Sequence, residues 1–290
     1  FYGRENLIQK LKDHVIKENK ALTVILGVSG SGKSSLMKAG LLPRLRNEHQ
    51  FIILGLMRVG DSPLTALAKA FLPIKDETAL QDLATIKNLT QILEKDSQSW
   101  IDTIKFSKIN EHNTELCQSI KHLKLTNEQV EFLKEWRDSD CTKPVSIKLW
   151  LDKFNKRNNL IEKIDKLTKN LVLELKGDTR ILVTIIKAWK SKNKTAKLLL
   201  AVDQFEELNT LAKSDSNEKT KNGNTEQHCF QELLKEAIAQ CKDCFDVVIT
   251  LRSDFEAQFK DGILKDFWVD DARFIVTPMT QDELREVIEK

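Results

Sequence analysis

The chain has no run of apolar residues approaching the ~18 to 20 needed to span a membrane, and no stretch with the layout of a signal peptide. It has no strong charge excess either. Its 46 Lys and Arg face 43 Asp and Glu, a net +3, and acids and bases alternate along most of the chain, which gives no general electrostatic argument for nucleic acid. The five cysteines (Cys117, Cys141, Cys229, Cys241, Cys244) are odd in number and form no paired framework, which suits a reducing compartment and predicts a cytoplasmic location. Cys241 and Cys244 make a lone C-x-x-C; a zinc site needs a second ligand pair, and only His228 and Cys229 lie near in sequence. What remains is a helix-rich globular protein of 290 residues with 41% apolar and 31% charged residues, enough for one large or two medium domains. It begins at Phe1 without a methionine and ends inside a helical pattern, as a segment of a longer protein would.

Against those absences, residues Gly27-Val28-Ser29-Gly30-Ser31-Gly32-Lys33-Ser34 fit G-x-x-x-x-G-K-[ST] with no mismatch. Glycines at this spacing let the backbone curl so that several N–H groups point inward at the start of the following helix, a cradle for phosphates. Lys33 adds a cation for the β- and γ-phosphates, and Ser34 a hydroxyl for Mg²⁺. The flanks agree: Ala21 to Leu26 is an apolar, β-branched strand pattern, and Ser35 to Ala39 reads as helix. A surface turn rich in Gly and Ser is the plainer alternative.

A second element is the apolar run Leu198 to Val202, which delivers Asp203 at its end. In phosphate-loop enzymes such an acid holds the metal's water shell across from the loop hydroxyl, so Asp203 is expected to face Ser34. Glu206 and Glu207 follow, and either is a candidate to orient or deprotonate an attacking water, or else a helix-start acid serving the dipole. Arg252, after the strand Phe245 to Leu251, is either a γ-phosphate contact or half of an ion pair with Asp254 or Glu256.

Around these motifs the chain alternates helices and strands. An amphipathic helix over 5–19 precedes the first strand, a second strand spans Phe51 to Met57, and Ser62-Pro63 starts a helix with serine as N-cap. From about Lys75 to Asn193 the pattern is helical, with a capping-box start at Thr126-x-x-Gln129 and a break at Lys143-Pro144; Trp100, Trp136, Trp150 and Trp189 read as its core anchors. Ser214 to Thr225 reads as a polar loop, and Arg273 to Val276 as a last strand. Continuous apolar strands indicate an α/β fold, a doubly wound parallel five-stranded sheet with nucleotide at the carboxyl ends of the strands. The expected division is 1–74 and 196–277 for the core, 75–195 for an all-helical insertion, and 278–290 for the start of a helical lid.

With these pieces together the chain resembles the STAND class of signal-transducing P-loop NTPases within the wider AAA+ group, nearest the bacterial novel STAND family related to NACHT and NB-ARC modules. The likeness is carried by Phe1-Tyr2-Gly3-Arg4-Glu5, by the phosphate loop through Lys38-Ala39-Gly40-Leu41-Leu42-Pro43, by Asp203-Gln204-Phe205-Glu206-Glu207-Leu208, by Thr250-Leu251-Arg252-Ser253-Asp254-Phe255, and by Val276-Thr277-Pro278-Met279-Thr280-x-x-Glu283-Leu284. The resemblance implies a strand order of 5-1-4-3-2, the Phe1 to Arg4 segment near base and ribose, Arg252 as the sensor, and Pro278 opening the lid. The nucleotide-binding set is then Gly3, Arg4, Gly27, Ser29, Gly30, Ser31, Gly32, Lys33, Ser34, Ser35 and Pro278; the metal pair is Ser34 and Asp203, and the ligands are ATP or ADP with Mg²⁺. It further implies a switch run by nucleotide exchange or slow hydrolysis, self-association on activation, sensor and effector domains on the same longer chain, and a protein trigger in bacterial defence or stress signalling. Gln204 stands where AAA+ proteins usually carry glutamate, which makes binding a firmer expectation than hydrolysis.

Neither Asn155-Lys156-Arg157-Asn158 nor Asn193-Lys194-Thr195-Ala196 completes the guanine signature N-K-x-D, which favours ATP, and no L-S-G-G-Q run of transporter ATPases occurs. The alternatives are an AAA+-like ATPase acting on nucleic acid, a P-loop metabolic enzyme, or a scaffold that binds without turnover. Lys163, Lys166 and Lys169 could meet phosphates, but Glu162, Asp165 and Glu174 are interleaved with them, the pattern of a solvated helix face.

Overall fold

The computed structural model describes residues 3–17, 20–48, 50–104, 144–210 and 225–289. The capping-box residues Thr126 and Gln129, Trp136, Lys143, Cys117, Cys141 and most of the Ser214 to Thr225 loop lie outside them, as do Phe1, Tyr2 and the side chains of Trp100 and Trp150. The chain divides into two compact units. One runs to Thr78 and resumes at Lys166; the other is Ala79–Asp165.

The first unit holds five parallel strands: β1 (Leu22–Gly27), β2 (Phe51–Arg58), β3 (Lys197–Asp203), β4 (Phe245–Arg252) and β5 (Arg273–Ile275), in the order β2-β3-β4-β1-β5. Counted from the β5 edge, that succession is 5-1-4-3-2. Every residue of β1 and nearly every residue of β3 and β4 is buried, because helices cover both faces; this is why the three strands read as largely apolar runs, with Thr23, Asp246 and Thr250 as buried polar exceptions within them. The edge strands β2 and β5 are only partly buried.

On one face lie α1 (Glu5–Ile16), α2 (Lys33–Ser35), a π-helical segment (Leu36–Leu41) and α3 (Leu42–Asn47), whose Ile8, Leu11, Leu36, Met37, Leu41 and Leu45 pack on Ile25, Leu199 and Val248. The run 33–47 is the helix expected after the phosphate loop, with a difference in register: the Leu42 N–H reaches back five residues to Met37 O. Pro43, next in line, has no N–H with which to close an ordinary turn. A side chain at Gly40 would lie 2.8 Å from Ile8 Cγ1, so the close approach of α1 depends on that glycine.

The other face carries α4 (Pro63–Lys75), the ends of α5 (Glu77–Ile104) and α6 (Pro144–Gly177), then α7 (Ile181–Lys192) and, after the short α8 (Glu207–Thr210), α9 (Glu226–Cys241). α7 packs on α4 and α9, and Trp189 is buried in that layer. Ser62 stands at the N-cap of α4 with Pro63 behind it, but its side chain makes no cap bond; the Leu64 N–H donates instead to Glu226 Oε1 at 3.1 Å. In the second unit α5 and α6 are joined by Lys163 Nζ to Asp82 Oδ2 at 2.6 Å, which gives one of the basic insertion residues a protein partner. Short helical turns and α10 (Glu256–Lys260) separate β4 from β5, and α11 (Gln281–Glu289) follows β5.

Asp246, at the start of β4, is buried and has Lys197 Nζ as its cation at 3.5 Å. Burial pushes its carboxyl up to about 6 despite Lys197. The folded protein therefore holds this proton more tightly than the unfolded chain, and stability falls as pH rises from about 4 to about 6, then levels. Asp246→Asn is expected to stabilise the protein at pH 7.5 by on the order of 2 kcal/mol and to confer no gain near pH 4, as measured by urea unfolding at the two pH values.

Candidate functional site

The loop after β1 turns on Gly30 and Gly32, at φ 78° and 85°, a left-handed backbone that residues with a Cβ rarely adopt. Ser29, Gly30 and Ser35 are exposed at the surface of the loop, whereas Ser31 and Lys33 are buried beneath it. The Lys33 ammonium donates to Gly27 O and Val28 O, each at 2.8 Å. Burial pushes its pKa down; the carboxylate of Glu206 opposes that shift, and Arg252 adds to it.

Asp203 stands where the sequence puts it, at the carboxyl end of β3, with 0% exposure. Its Oδ1 accepts from Ser34 Oγ at 2.7 Å and from Thr250 Oγ1 at 2.6 Å. Its Oδ2 pairs with Lys38 Nζ at 2.8 Å, with Arg58 Nε at 3.9 Å. Burial opposes ionisation, but the Lys38 ammonium against Oδ2 and hydrogen bonds from Thr250 and Ser34 to Oδ1 outweigh it, so the carboxyl titrates below its ordinary range. Thr250 also accepts the Gln204 N–H at 2.9 Å, which holds Gln204 at φ 57°, the sole non-glycine residue with positive φ among the described residues. Sequence reasoning assigned no role to Thr250 or Lys38; the usable signal for Thr250 was a hydroxyl within the apolar run Val247 to Leu251.

The two consecutive glutamates diverge. Glu206 is 9% exposed, accepts the Arg252 N–H at 3.3 Å, and lies within electrostatic reach of Lys33. Glu207 turns away and accepts the Gly60 N–H at 3.1 Å in the turn after β2. The Arg252 guanidinium is half-exposed and forked onto Asp254, with distances of 3.2 and 2.7 Å, over the Phe255 ring. Of the two ion-pair partners considered, Asp254 is the one used; Glu256 instead holds Arg273 and Trp268.

Arg4 lies beneath the loop with 2% exposure. Its Nη1 donates to Ser31 O and its Nη2 to Thr277 O, both at 2.8 Å, with Glu283 Oε2 at 3.4 Å. Gly3, beside it, has φ 84°. Pro278 follows Thr277 and is exposed, and Thr280 and Glu283 exchange hydrogen bonds as the capping box of α11. The C-x-x-C pair takes no part: burial pushes the Cys241 thiol up to about 11, and among the described residues no group of three or more His, Cys, Asp or Glu converges as a metal site. A cavity of about 250 Å³ between Lys20, Ile238 and Asp271 lies at the opposite, amino-terminal end of β1.

The donor set suits a polyphosphate with a divalent cation. A buried ammonium, a glycine loop, a hydroxyl and an ionised carboxylate converge, and the buried Ser31 Oγ has no hydrogen-bond partner. The whole chain, residues 1–290, matches the sequence model of the family described as Novel STAND NTPase 1, and the protein belongs to that family of nucleoside triphosphatases. A comparison with curated proteins gave no match.

Because one hydroxyl serves both Asp203 and the Gln204 N–H, Thr250→Val leaves a buried carboxylate oxygen and a part-buried N–H each short of a partner. It is expected to cost roughly 1–3 kcal/mol in chemical unfolding, whereas Thr250→Ser is expected to recover most of that loss.

Proposed function

We propose that the chain binds ATP with Mg²⁺ in the cleft above β1, β3 and β4, and that exchange or slow hydrolysis of the nucleotide switches a longer signalling protein between conformations. The observation that carries the reading is the 2.7 Å bond between Ser34 and Asp203, side chains 169 residues apart brought together at the mouth of a glycine loop. Lys33 leaves the loop carbonyls to pair with the β- and γ-phosphates, while the loop amides and Ser31 take their oxygens. Ser34 and Asp203 hold Mg²⁺, which when bound neutralises charge on the phosphate tail.

Glu206 is the group that orients and deprotonates water, because it is buried and faces Lys33; Glu207 serves the turn at Gly60. Arg252 exchanges Asp254 for the γ-phosphate and so reports its presence. The missing guanine signature favours ATP. The family's general habit of oligomerising and carrying further domains supports self-association on activation, with sensor and effector domains outside this segment, a protein as trigger, and bacterial defence or stress signalling in the cytoplasm as the setting. Among the described residues no helix is long and apolar enough to cross a membrane.

Lys33→Ala is expected to weaken Mg·ATP binding by about 100-fold or more in calorimetric titration, with an unchanged far-ultraviolet circular dichroism spectrum. Parental affinity in that variant would remove the site. Glu206→Gln is expected to bind ATP normally and to lower single-turnover hydrolysis by about 100-fold or more, whereas Glu207→Gln keeps the parental rate. The reverse ranking would move the base to Glu207.

A further inference from the structure

Lys38 lies four residues after Ser34, one turn along the same helical run, inside the π-helical segment. Its Nζ is 2.8 Å from Asp203 Oδ2 while its side chain remains 37% exposed, so the ammonium touches a fully buried carboxylate and still has a path to solvent. The other oxygen of Asp203 is saturated by two hydroxyl donors, Ser34 and Thr250. Oδ2 is thus the oxygen through which this carboxylate meets a cation. Arg58 Nε, at 3.9 Å and on a largely exposed side chain, is a second and more distant ion-pair partner of Oδ2, so Lys38 is the cation in direct contact.

A buried carboxylate needs one compensating positive charge; two cations within a few ångströms of each other on the same oxygen repel. From this we infer that Lys38 and a divalent cation are alternative partners of Asp203, and that Lys38 thereby sets the Mg²⁺ concentration at which nucleotide loads. The inference rests on the reading of Ser34 and Asp203 as the cation-holding pair. Lys38 holds Asp203 aimed at Ser34, then swings outward along its exposed stem where a divalent cation takes its place. It is a positioning residue, which acts on the nucleotide through Asp203 and not by contact.

The test uses the 290-residue chain, a fluorescent ADP analogue at fixed concentration, and Mg²⁺ as titrant, alongside thermal unfolding in EDTA and in excess Mg·ADP. For Lys38→Met the Mg²⁺ midpoint of nucleotide binding is expected to fall by roughly 10-fold, since the internal competitor is gone. The same variant is expected to melt roughly 3–6 °C below the parent in EDTA and level with it in Mg·ADP. Lys38→Arg is expected to restore the parental values in both measurements, and Lys38→Gln replaces the methionine variant if that one does not fold. An unchanged Mg²⁺ midpoint, or the same melting deficit under both conditions, overturns the proposal and leaves a purely structural ion pair. Weaker binding of the analogue in EDTA also overturns it, by making Lys38 a phosphate contact. A parent protein whose nucleotide binding ignores Mg²⁺ defeats the underlying reading of Ser34 and Asp203 instead.

Discussion

A carboxylate with no access to solvent is the constraint on which the rest of this structure turns. Removing Asp203 from water is costly unless its oxygens are filled, and the groups that fill them come from the helix after the phosphate loop and from β4. The strand order explains why. β4 lies between β1, which delivers the loop, and β3, which delivers the acid, so Ser34 has to reach across the end of β4 to meet Asp203. The residue at that point of β4 is Thr250, small enough to pass beneath the contact and polar enough to join it. An apolar residue there would leave Oδ1 with a single donor.

The fold was legible where burial is two-sided. β1, β3 and β4 are covered on both faces, so their sequences are largely apolar runs, and the phosphate loop marks the point where the first of them ends. What a linear reading could not supply were relations in which one side chain serves two distant elements. Glu206 and Glu207 are indistinguishable as letters; beyond Gln204, at φ 57°, Glu206 accepts the Arg252 N–H within electrostatic reach of Lys33 while Glu207 accepts the Gly60 N–H. Ser62 sits where an N-cap belongs, yet Glu226 from another helix reaches the Leu64 N–H. The five-residue closure at Met37 and Leu42 has no sequence signature beyond Pro43, although it carries the lysine that faces Asp203.

Arg4 shows how the ends of the first unit are linked to its centre. The resemblance to STAND proteins puts this residue beside the base and ribose, whereas two arms of its guanidinium are held by the carbonyls of Ser31 and Thr277. A planar cation with fixed donor directions transmits geometry in a way that a flexible ammonium does not. Ser31 cannot shift without lengthening one of these bonds or carrying Arg4 with it, and Arg4 in turn holds the residue before Pro278 and the capping glutamate of α11.

These two sets of contacts divide the loop between them. Its helix side, Ser34 and Lys38, answers to the charge on Asp203; its carbonyl side, at Ser31, answers to Arg4 and through it to the segment entering α11. Phosphate oxygens would engage the amides between these two anchors, so a ligand that draws the loop inward loads both at once. In the proposed switch a local electrostatic event at Asp203 would be joined through Arg4 to the segment entering α11, by polar groups already within hydrogen-bonding distance of one another. Packing of α1 and α3 against the sheet sets both groups of contacts in a close-packed frame.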